Sequence, residues 1–325
     1  MRLLYFGDGD WATKSLLRLI QEGHKVIGVV TRINPSDPSL LQTAQKAGFP
    51  VFQPVNVNAP EFVEKVAALE PELNLSFSYD QILRQPILES APLGFINFHA
   101  GKLPDYRGRN VVNWALINGE EEIGLTSHYI NEGIDTGDII LQRTLPILWT
   151  DDYGNLLERL VSAFPELVAY TVRLIANDAV QPQPQAQLQG SYFSKRENGD
   201  EWLDWSDSSR NLYNKIRAIA HPGPGARTLL KGQVVTIWRA AYDPSWPTYI
   251  ATPGQIVGSN PGDGVMVKTG DSTLLLKTVQ LGHNDPYTPR WPIGTRLGVN
   301  LIDYIHSLEA RLIALEKSLI NMTNA

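Results

Sequence analysis

Residues 95–110 read Phe-Ile-Asn-Phe-His-Ala-Gly-Lys-Leu-Pro-Asp-Tyr-Arg-Gly-Arg-Asn. The run 95–98 is apolar and β-prone and predicts a strand, with Asn97 and His99 one residue apart and therefore on one face. The Gly101-Lys102-Leu103-Pro104 turn ends that strand and puts both polar groups at its rim. Farther along, Gly133-Ile134-Asp135-Thr136-Gly137 places Asp135 in a loop with glycine on both sides, where backbone can approach a ligand closely. An amide donor, an imidazole and a carboxylate could thus converge on one reacting carbonyl. That set suits acyl transfer without a covalent enzyme intermediate.

Outward from this stretch, strand and helix alternate. Strands are predicted over 3–6, 25–31, 73–77 and 126–130, and helices over 12–22, 38–47 and 109–118. The rhythm predicts an α/β fold built on a doubly wound, mostly parallel, Rossmann-like sheet. Residues 156–177 read as a long amphipathic helix, and 181–189 (Gln-Pro-Gln-Pro-Gln-Ala-Gln-Leu-Gln) as a polar, proline-bearing linker. A helix over 208–220 is followed by short β-like runs at 234–238, 264–268 and 273–278, which predict a small β-barrel. The expected division is a catalytic domain over 1–203 with its linker near 178–190, a barrel over 204–297, and a tail helix over 298–325. In the tail, Leu301, Ile305, Leu308, Leu312, Leu315 and Leu319 step by four and three, like a short heptad seam. That stripe serves either a helical contact in a homodimer or packing on the chain's own barrel.

Composition bounds the chemistry. At 325 residues the chain can bury two cores, and 43% apolar with 19% charged residues is ordinary for a globular protein. With no cysteine there is no disulfide and no thiolate nucleophile, and a structural zinc site is not expected. The first residues, Met1-Arg2-Leu3-Leu4-Tyr5-Phe6-Gly7, are too short an apolar run for a signal peptide, and no stretch is long and apolar enough to span a bilayer. A cytoplasmic protein without membrane contact is expected. A net charge of -6 offers no overall footprint for nucleic acid.

Other motifs carry less. Gly7-Asp8-Gly9-Asp10-Trp11-Ala12 follows a strand and opens a helix, as a dinucleotide fingerprint does. The acid such a site wants at the end of the second strand is replaced by Val30-Thr31-Arg32, so these glycines read as close strand–helix packing. His24, His128 and His306 lack polar company and read as structural histidines, whereas His99 has Asn97 and Asp135. His283-Asn284-Asp285 has no third ligand nearby and is rejected as a metal site. Lys102, Tyr106, Arg107 and Arg109 form a basic, aromatic loop just past the catalytic strand. It is either a solvated loop or a holder of an anionic group such as phosphate.

The stretch resembles the folate-dependent formyltransferase family, which includes the glycinamide ribonucleotide, methionyl-tRNA and sugar-nucleotide N-formyltransferases. The resemblance rests on Asn97-Phe98-His99, on Leu103-Pro104-x-Tyr106-Arg107-Gly108, and on Asp135 thirty-six residues after His99. Gly190-Ser191-Tyr192-Phe193, Ile216-Arg217-Ala218 and Pro224-Gly225-Ala226 extend it to an OB-like C-terminal barrel. Ala100-Gly101-Lys102, where many members have a Ser-Leu run, is most like the sugar N-formyltransferases. The resemblance implies N10-formyltetrahydrofolate as the donor and no metal. It implies that Asn97 and a protonated His99 bond the oxyanion, and that Asp135 holds His99. It also implies a pterin between Ser76-Phe77-Ser78-Tyr79-Asp80-Gln81-Ile82-Leu83 and the Gly133-Ile134-Asp135 loop.

For the acceptor, the expectation is a nucleotide-linked amino sugar (dTDP, UDP or GDP) of surface lipopolysaccharide biosynthesis, met by Lys102, Tyr106, Arg107, Arg109 and Asn110. The methionyl-tRNA enzymes carry a longer, basic insertion after the second strand, whereas 31–38 here holds only Arg32 as a cation, so no nucleic-acid partner is expected. Methionyl-tRNA is the alternative acceptor, since the C-terminal barrel is shared. A binding module on an inactive enzyme is a further alternative, disfavoured by the intact Asn97, His99 and Asp135. Sugar N-formyltransferases are often dimers, which implies a homodimer.

Overall fold

A computed structural model of the chain describes residues 1–35, 37–185, 189–248, 250–260, 262–299 and 301–323. It divides into two compact units, Met1–Glu197 and Asn198–Ala325. Among the described residues no helix is long and apolar enough to cross a membrane.

In the first unit the strands are β1 (Arg2–Gly7), β2 (Lys25–Val30), β3 (Val51–Phe52), β4 (Leu73–Phe77), β5 (Phe95–His99), β6 (Arg107–Gly108), β7 (Glu122–Tyr129), β8 (Ile139–Pro146) and β9 (Tyr192–Phe193). The helices are α1 (Gly9–Gln21), α2 (Ser39–Lys46), α3 (Pro60–Ala68), α4 (Val111–Asn118) and α5 (Tyr153–Ala176). Seven strands form one sheet in the order β3-β2-β1-β4-β5-β7-β8, while β6 and β9 pair separately. β1 through β5 run parallel, and β7 and β8 are antiparallel additions at one edge. The central strands are near-continuous apolar runs because both faces are covered: Leu3, Leu4, Tyr5 and Phe6 of β1 are all fully buried.

The sheet grows from β1 in one direction through β2 and β3, then restarts on the other side with β4 and β5. Ligands of open α/β sheets lie beyond the carboxyl ends of the strands at such a reversal. One wall of the core there is aromatic. Phe77 stacks on Phe98 at 5.4 Å, and Phe164 of α5 meets Phe77 edge-on at 5.0 Å. α5 begins with a capping box in which Asp152 accepts from the Asn155 amide and Asn155 accepts from the Asp152 amide. Its buried stripe, Leu156, Leu160, Phe164, Leu167, Val168, Val172 and Ile175, follows the helical period.

The segment expected as a free linker is in part docked. Gln183 exchanges both backbone hydrogen bonds with Ile139 at the start of β8, at 2.8 and 2.9 Å. Ala186, Gln187 and Leu188 lie outside the described residues. β3, α3 and β8 were not anticipated from sequence. β3 is only two residues long, and β8 turns exposed and polar midway, which blurs its period.

The second unit holds α6 (Ser209–Ala218) and an antiparallel sheet of β10 (Ala226–Leu230), β11 (Gln233–Ala241), β12 (Ile256–Asn260), β13 (Gly264–Lys268) and β14 (Thr273–Leu281), ordered β10-β11-β14-β13-β12. Isolated bridges from Leu297 to Leu230 and from Arg296 to Gln255 link the two ends of this sheet through one short segment. The chain closes on α7 (Leu301–Thr323).

Candidate active site

Asn97 and His99 leave β5 on the same face, as the period of a strand dictates. The Asp135 loop joins β7 to β8, and its Gly137 end packs against the backbone at the end of β7. A side chain on Gly137 would lie 1.8 Å from the Tyr129 carbonyl oxygen, so only glycine allows that approach. Asp135 itself adopts φ 52°, a left-handed conformation that aspartate tolerates better than most residues. Its carboxylate accepts from the Gly108 amide at 2.8 Å and from Asn97 Nδ2 at 3.3 Å, and lies 3.7 Å from His99 Nδ1. The three groups named from sequence therefore meet at one point.

The tautomer of His99 follows from its neighbours. A carbonyl oxygen only accepts, so the 2.6 Å contact with the Tyr106 carbonyl makes His99 Nε2 the donor and turns Nδ1 toward Asp135. The ring lies directly over Gly101, where a Cβ would fall 2.5 Å from Nε2. Burial would raise the Asp135 carboxyl, but His99, His128 and the Gly108 amide outweigh it and hold the group well below the usual carboxylate range. Asp135 is thus a fixed negative charge at the centre of the site.

Two members of the site were not found from sequence. His128, read as structural, pairs opposite Asn97 across β5 and β7 and is 2% exposed. Its Nδ1 donates to the Tyr129 carbonyl at 2.8 Å, leaving Nε2 to accept from Asn97 Nδ2 at 3.1 Å, 3.5 Å from Asp135. Only the antiparallel register brings it there, and no local pattern encodes that register. Gln185 comes from the supposed linker and is also 2% exposed. Its amide nitrogen donates to the carbonyls of Gly137 at 2.5 Å and Asp135 at 3.2 Å, and its oxygen accepts from Arg107 at 2.9 Å.

The basic loop is organised differently from the expectation. Arg107 is 4% exposed, donating to Gln185 and to the Tyr192 hydroxyl at 3.1 Å, so its guanidinium is engaged within the protein. Lys102 is ion-paired with Glu122. Tyr106 stacks on Phe193 at 4.7 Å and donates from its hydroxyl to Glu120 at 2.6 Å. Arg109 donates to the Asp80 carbonyl at 3.0 Å, and the Asn110 side chain accepts from the Arg196 amide at 3.1 Å. A cavity of about 370 Å³ is lined by Lys102, Tyr106, Glu120, Glu122, Gln142 and Phe193, among others.

Of the residues expected around a donor, Phe77 and Leu83 are buried, at 1% and 6% exposure. Ser76 is buried within β4. Gln81 pins the 54–57 loop by accepting from the Val57 amide and donating to the Pro54 carbonyl. Tyr79, Asp80, Ile82, Gly133 and Ile134 stay near the surface, with Ile82 57% and Ile134 55% exposed. The Tyr79 hydroxyl is buried with no hydrogen-bond partner among the described residues, and burial followed by Asp80 pushes its phenol up, so it stays a donor. Among the described residues no group of three His, Cys, Asp or Glu side chains could hold a metal ion.

Residues 1–172 match the formyl transferase profile, and residues 195–293 match that of the formyl transferase C-terminal domain. The chain is 36% identical over 292 residues to the methionyl-tRNA formyltransferase of Symbiobacterium thermophilum, covering 86% of this chain and 88% of that one. It is 34% identical over 285 residues to the methionyl-tRNA formyltransferase of Bacillus subtilis, covering 85% and 89%. Among solved structures, the N-formyltransferase of Helicobacter canadensis in complex with folinic acid and dTDP-3-aminofucose superposes with a TM-score of 0.64 at 21% identity, covering 85% and 98%. At that identity the likeness shows the fold alone.

These relatives overturn the expectation that the chain is most like the sugar-nucleotide enzymes, since sequence identity favours the methionyl-tRNA enzymes. Both features behind that expectation have local structural explanations. Arg32, the one cation of its loop, is held by Asp8 at 3.2 Å and donates to the Ser78 carbonyl at 2.7 Å. Lys102 serves Glu122. Both side chains are engaged by neighbours in the chain itself, and net charge describes the whole surface, not one face of it. With a profile matched over residues 1–172 of 325 and relatives above 30% identity along both domains, this chain is a formyltransferase and belongs to the formyl transferase family.

Proposed function

We propose that the chain transfers the formyl group of N10-formyltetrahydrofolate to the primary amine of methionyl-tRNA in the cytoplasm, and that it does so as a homodimer, a reading carried by the solvent-exposed apolar stripe of α7 and no longer by the sugar enzymes. The observation that carries the acceptor is the 36% and 34% identity to methionyl-tRNA formyltransferases, which extends through both domains. A folate donor is supported by the folinic acid complex of the Helicobacter canadensis relative. It is supported locally by two exposed apolar side chains, Ile82 and Ile134, and by the Tyr79 hydroxyl, which has no hydrogen-bond partner among the described residues; these suit an aromatic heterocycle with polar edges.

The amine nitrogen attacks the formyl carbon, a C–N bond forms, and the carbonyl electron pair moves onto the formyl oxygen. Asn97 Nδ2 meets that oxyanion. Its present contacts, 3.1 Å to His128 and 3.3 Å to Asp135, are longer than the common 2.9–3.0 Å and are readily exchanged for a stronger bond to an anion. His99, held through Nε2 by the Tyr106 carbonyl, has Nδ1 left to take up the proton that leaves the attacking nitrogen and pass it on. When the intermediate collapses, the bond from carbon to N10 breaks and N10 takes up that proton. Asp135 stays ionised throughout and stabilises positive charge on the imidazole ring.

The test is formyl transfer to methionyl-tRNA with N10-formyltetrahydrofolate in purified components. Formyl-methionyl-tRNA is expected at physiological salt, with no product from His99→Ala on the same timescale. Failure to formylate methionyl-tRNA while another primary amine is formylated would refute the acceptor and keep the donor chemistry.

A further inference from the structure

The match to the C-terminal domain ends at residue 293, and α7 lies wholly beyond it. The helix is amphipathic, yet its apolar stripe faces solvent: Ile305, Leu308, Leu312 and Leu315 are 51%, 43%, 58% and 61% exposed. Leu301, the first residue of the stripe, has its side chain outside the described residues. Solvent-facing apolar side chains at heptad spacing need a partner to be stable in water.

We infer that α7 is the dimerisation element of the proposed homodimer, pairing with the α7 of a second copy as a parallel, in-register, two-stranded coiled coil. The heptad places Ile305, Leu312 and Leu319 at a, and Leu301, Leu308 and Leu315 at d. A β-branched residue at a with leucine at d favours two parallel strands, and Ile305 over Leu308 supplies one such layer. The flanks select the orientation. Arg311 falls at g and Glu316 at the following e, so in a parallel pair Arg311 meets the partner's Glu316 twice, once on each side. In an antiparallel pair centred near Leu312, Glu309 would instead face the partner's Glu316, a like-charge contact. Such exposed pairs add little strength, so their weight is on orientation. At 23 residues the helix is short for a coiled coil, and the dimer is accordingly expected to dissociate on dilution.

The inference rests on the homodimer reading, and the two can fail separately. Light scattering across a range of concentrations should give twice the 36.2 kDa mass for the full chain at high concentration. The double variant Leu308→Glu/Leu312→Glu should be monomeric, while retaining formyl transfer because both positions are exposed. The chain has no cysteine, so Ile305→Cys adds a single thiol. In the parallel register it faces its own copy and should form a disulfide-linked dimer on oxidation, and an antiparallel pair would separate the two thiols. Arg311→Glu should weaken the dimer and Arg311→Glu/Glu316→Arg restore it. A full chain monomeric at every concentration overturns the homodimer itself. A dimer untouched by Leu308→Glu/Leu312→Glu overturns the role of α7 alone, and a dimer without the Ile305→Cys link overturns the parallel register.

Discussion

The rim of β5 and the basic loop after it are both polar and only a few residues apart, yet their side chains have opposite fates. At the rim, Asn97, His99 and His128 gather around one buried carboxylate, and the contacts to that carboxylate's own oxygens from the two imidazoles and the Asn97 amide span 3.3 to 3.7 Å. In the loop, Lys102, Arg107 and Arg109 disperse: one to Glu122, one inward to Gln185 and Tyr192, one to the Asp80 carbonyl. Charge density along a sequence therefore does not mark a ligand site. What marks it is a set of donors that share one centre and are held there loosely enough for a substrate atom to exchange with them.

The contrast breaks most readily at its strongest point. His99→Ala should lower kcat by about 10²–10⁴ with little change in acceptor KM, and Asn97→Ala by about 10²–10³. Turnover near that of the parent in either variant would remove the rim from the chemistry. The support beneath the rim comes next. Gln185→Ala leaves the Gly137 and Asp135 carbonyls and Arg107 short of partners, which should destabilise the fold by about 1–3 kcal/mol in denaturant melts. Because it frees the Asp135 loop, it should also lower kcat more than it raises acceptor KM. The same stability loss in Arg107→Met, with Gln185→Ala/Arg107→Met costing less than the sum, would show that the two act as one unit.

Protonation sharpens the comparison further. The Asp135 carboxyl is held below its unfolded value of about 3.9, so the stability it confers is fully present above that value and is lost as pH falls through its folded one. The stability gap between parent and Asp135→Asn should therefore stay level from neutral pH down to about pH 5 and narrow only below about pH 4. A gap that closes near neutrality would mean the carboxylate is not the fixed charge the geometry describes. The smallest effect belongs to the loop: Lys102→Ala should leave the unfolding midpoint unchanged and kcat/KM within about twofold, because its partner Glu122 lies at the surface. A large rise in acceptor KM would return the loop to the binding surface.

Much of this was legible in the sequence because it is written in local periods. The alternation of strand and helix sets a doubly wound sheet, and the strand 73–77 coincides with β4 residue for residue. The two-residue step from Asn97 to His99 fixes their common face whatever the rest of the chain does. The step of four and three in the tail predicts an amphipathic helix, and α7 is one. The two glycines around Asp135 announce a loop that closes tightly on its neighbours.

What no local pattern contains is which distant residue arrives opposite which. His128 becomes part of the site only because β7 runs antiparallel to β5 in a register that sets it against Asn97. Gln185 does so only because the chain returns along β8 after the whole of α5, and Arg107 turns inward because Gln185 and Tyr192 wait there. The likeness to the sugar-nucleotide enzymes was likewise read from a few local residues, whereas identity along the whole chain favours the methionyl-tRNA enzymes. Period and turn chemistry act over a few residues and are decided by the chain alone. Partners across forty or eighty residues are decided by sheet register and burial, and these exist only once the fold does.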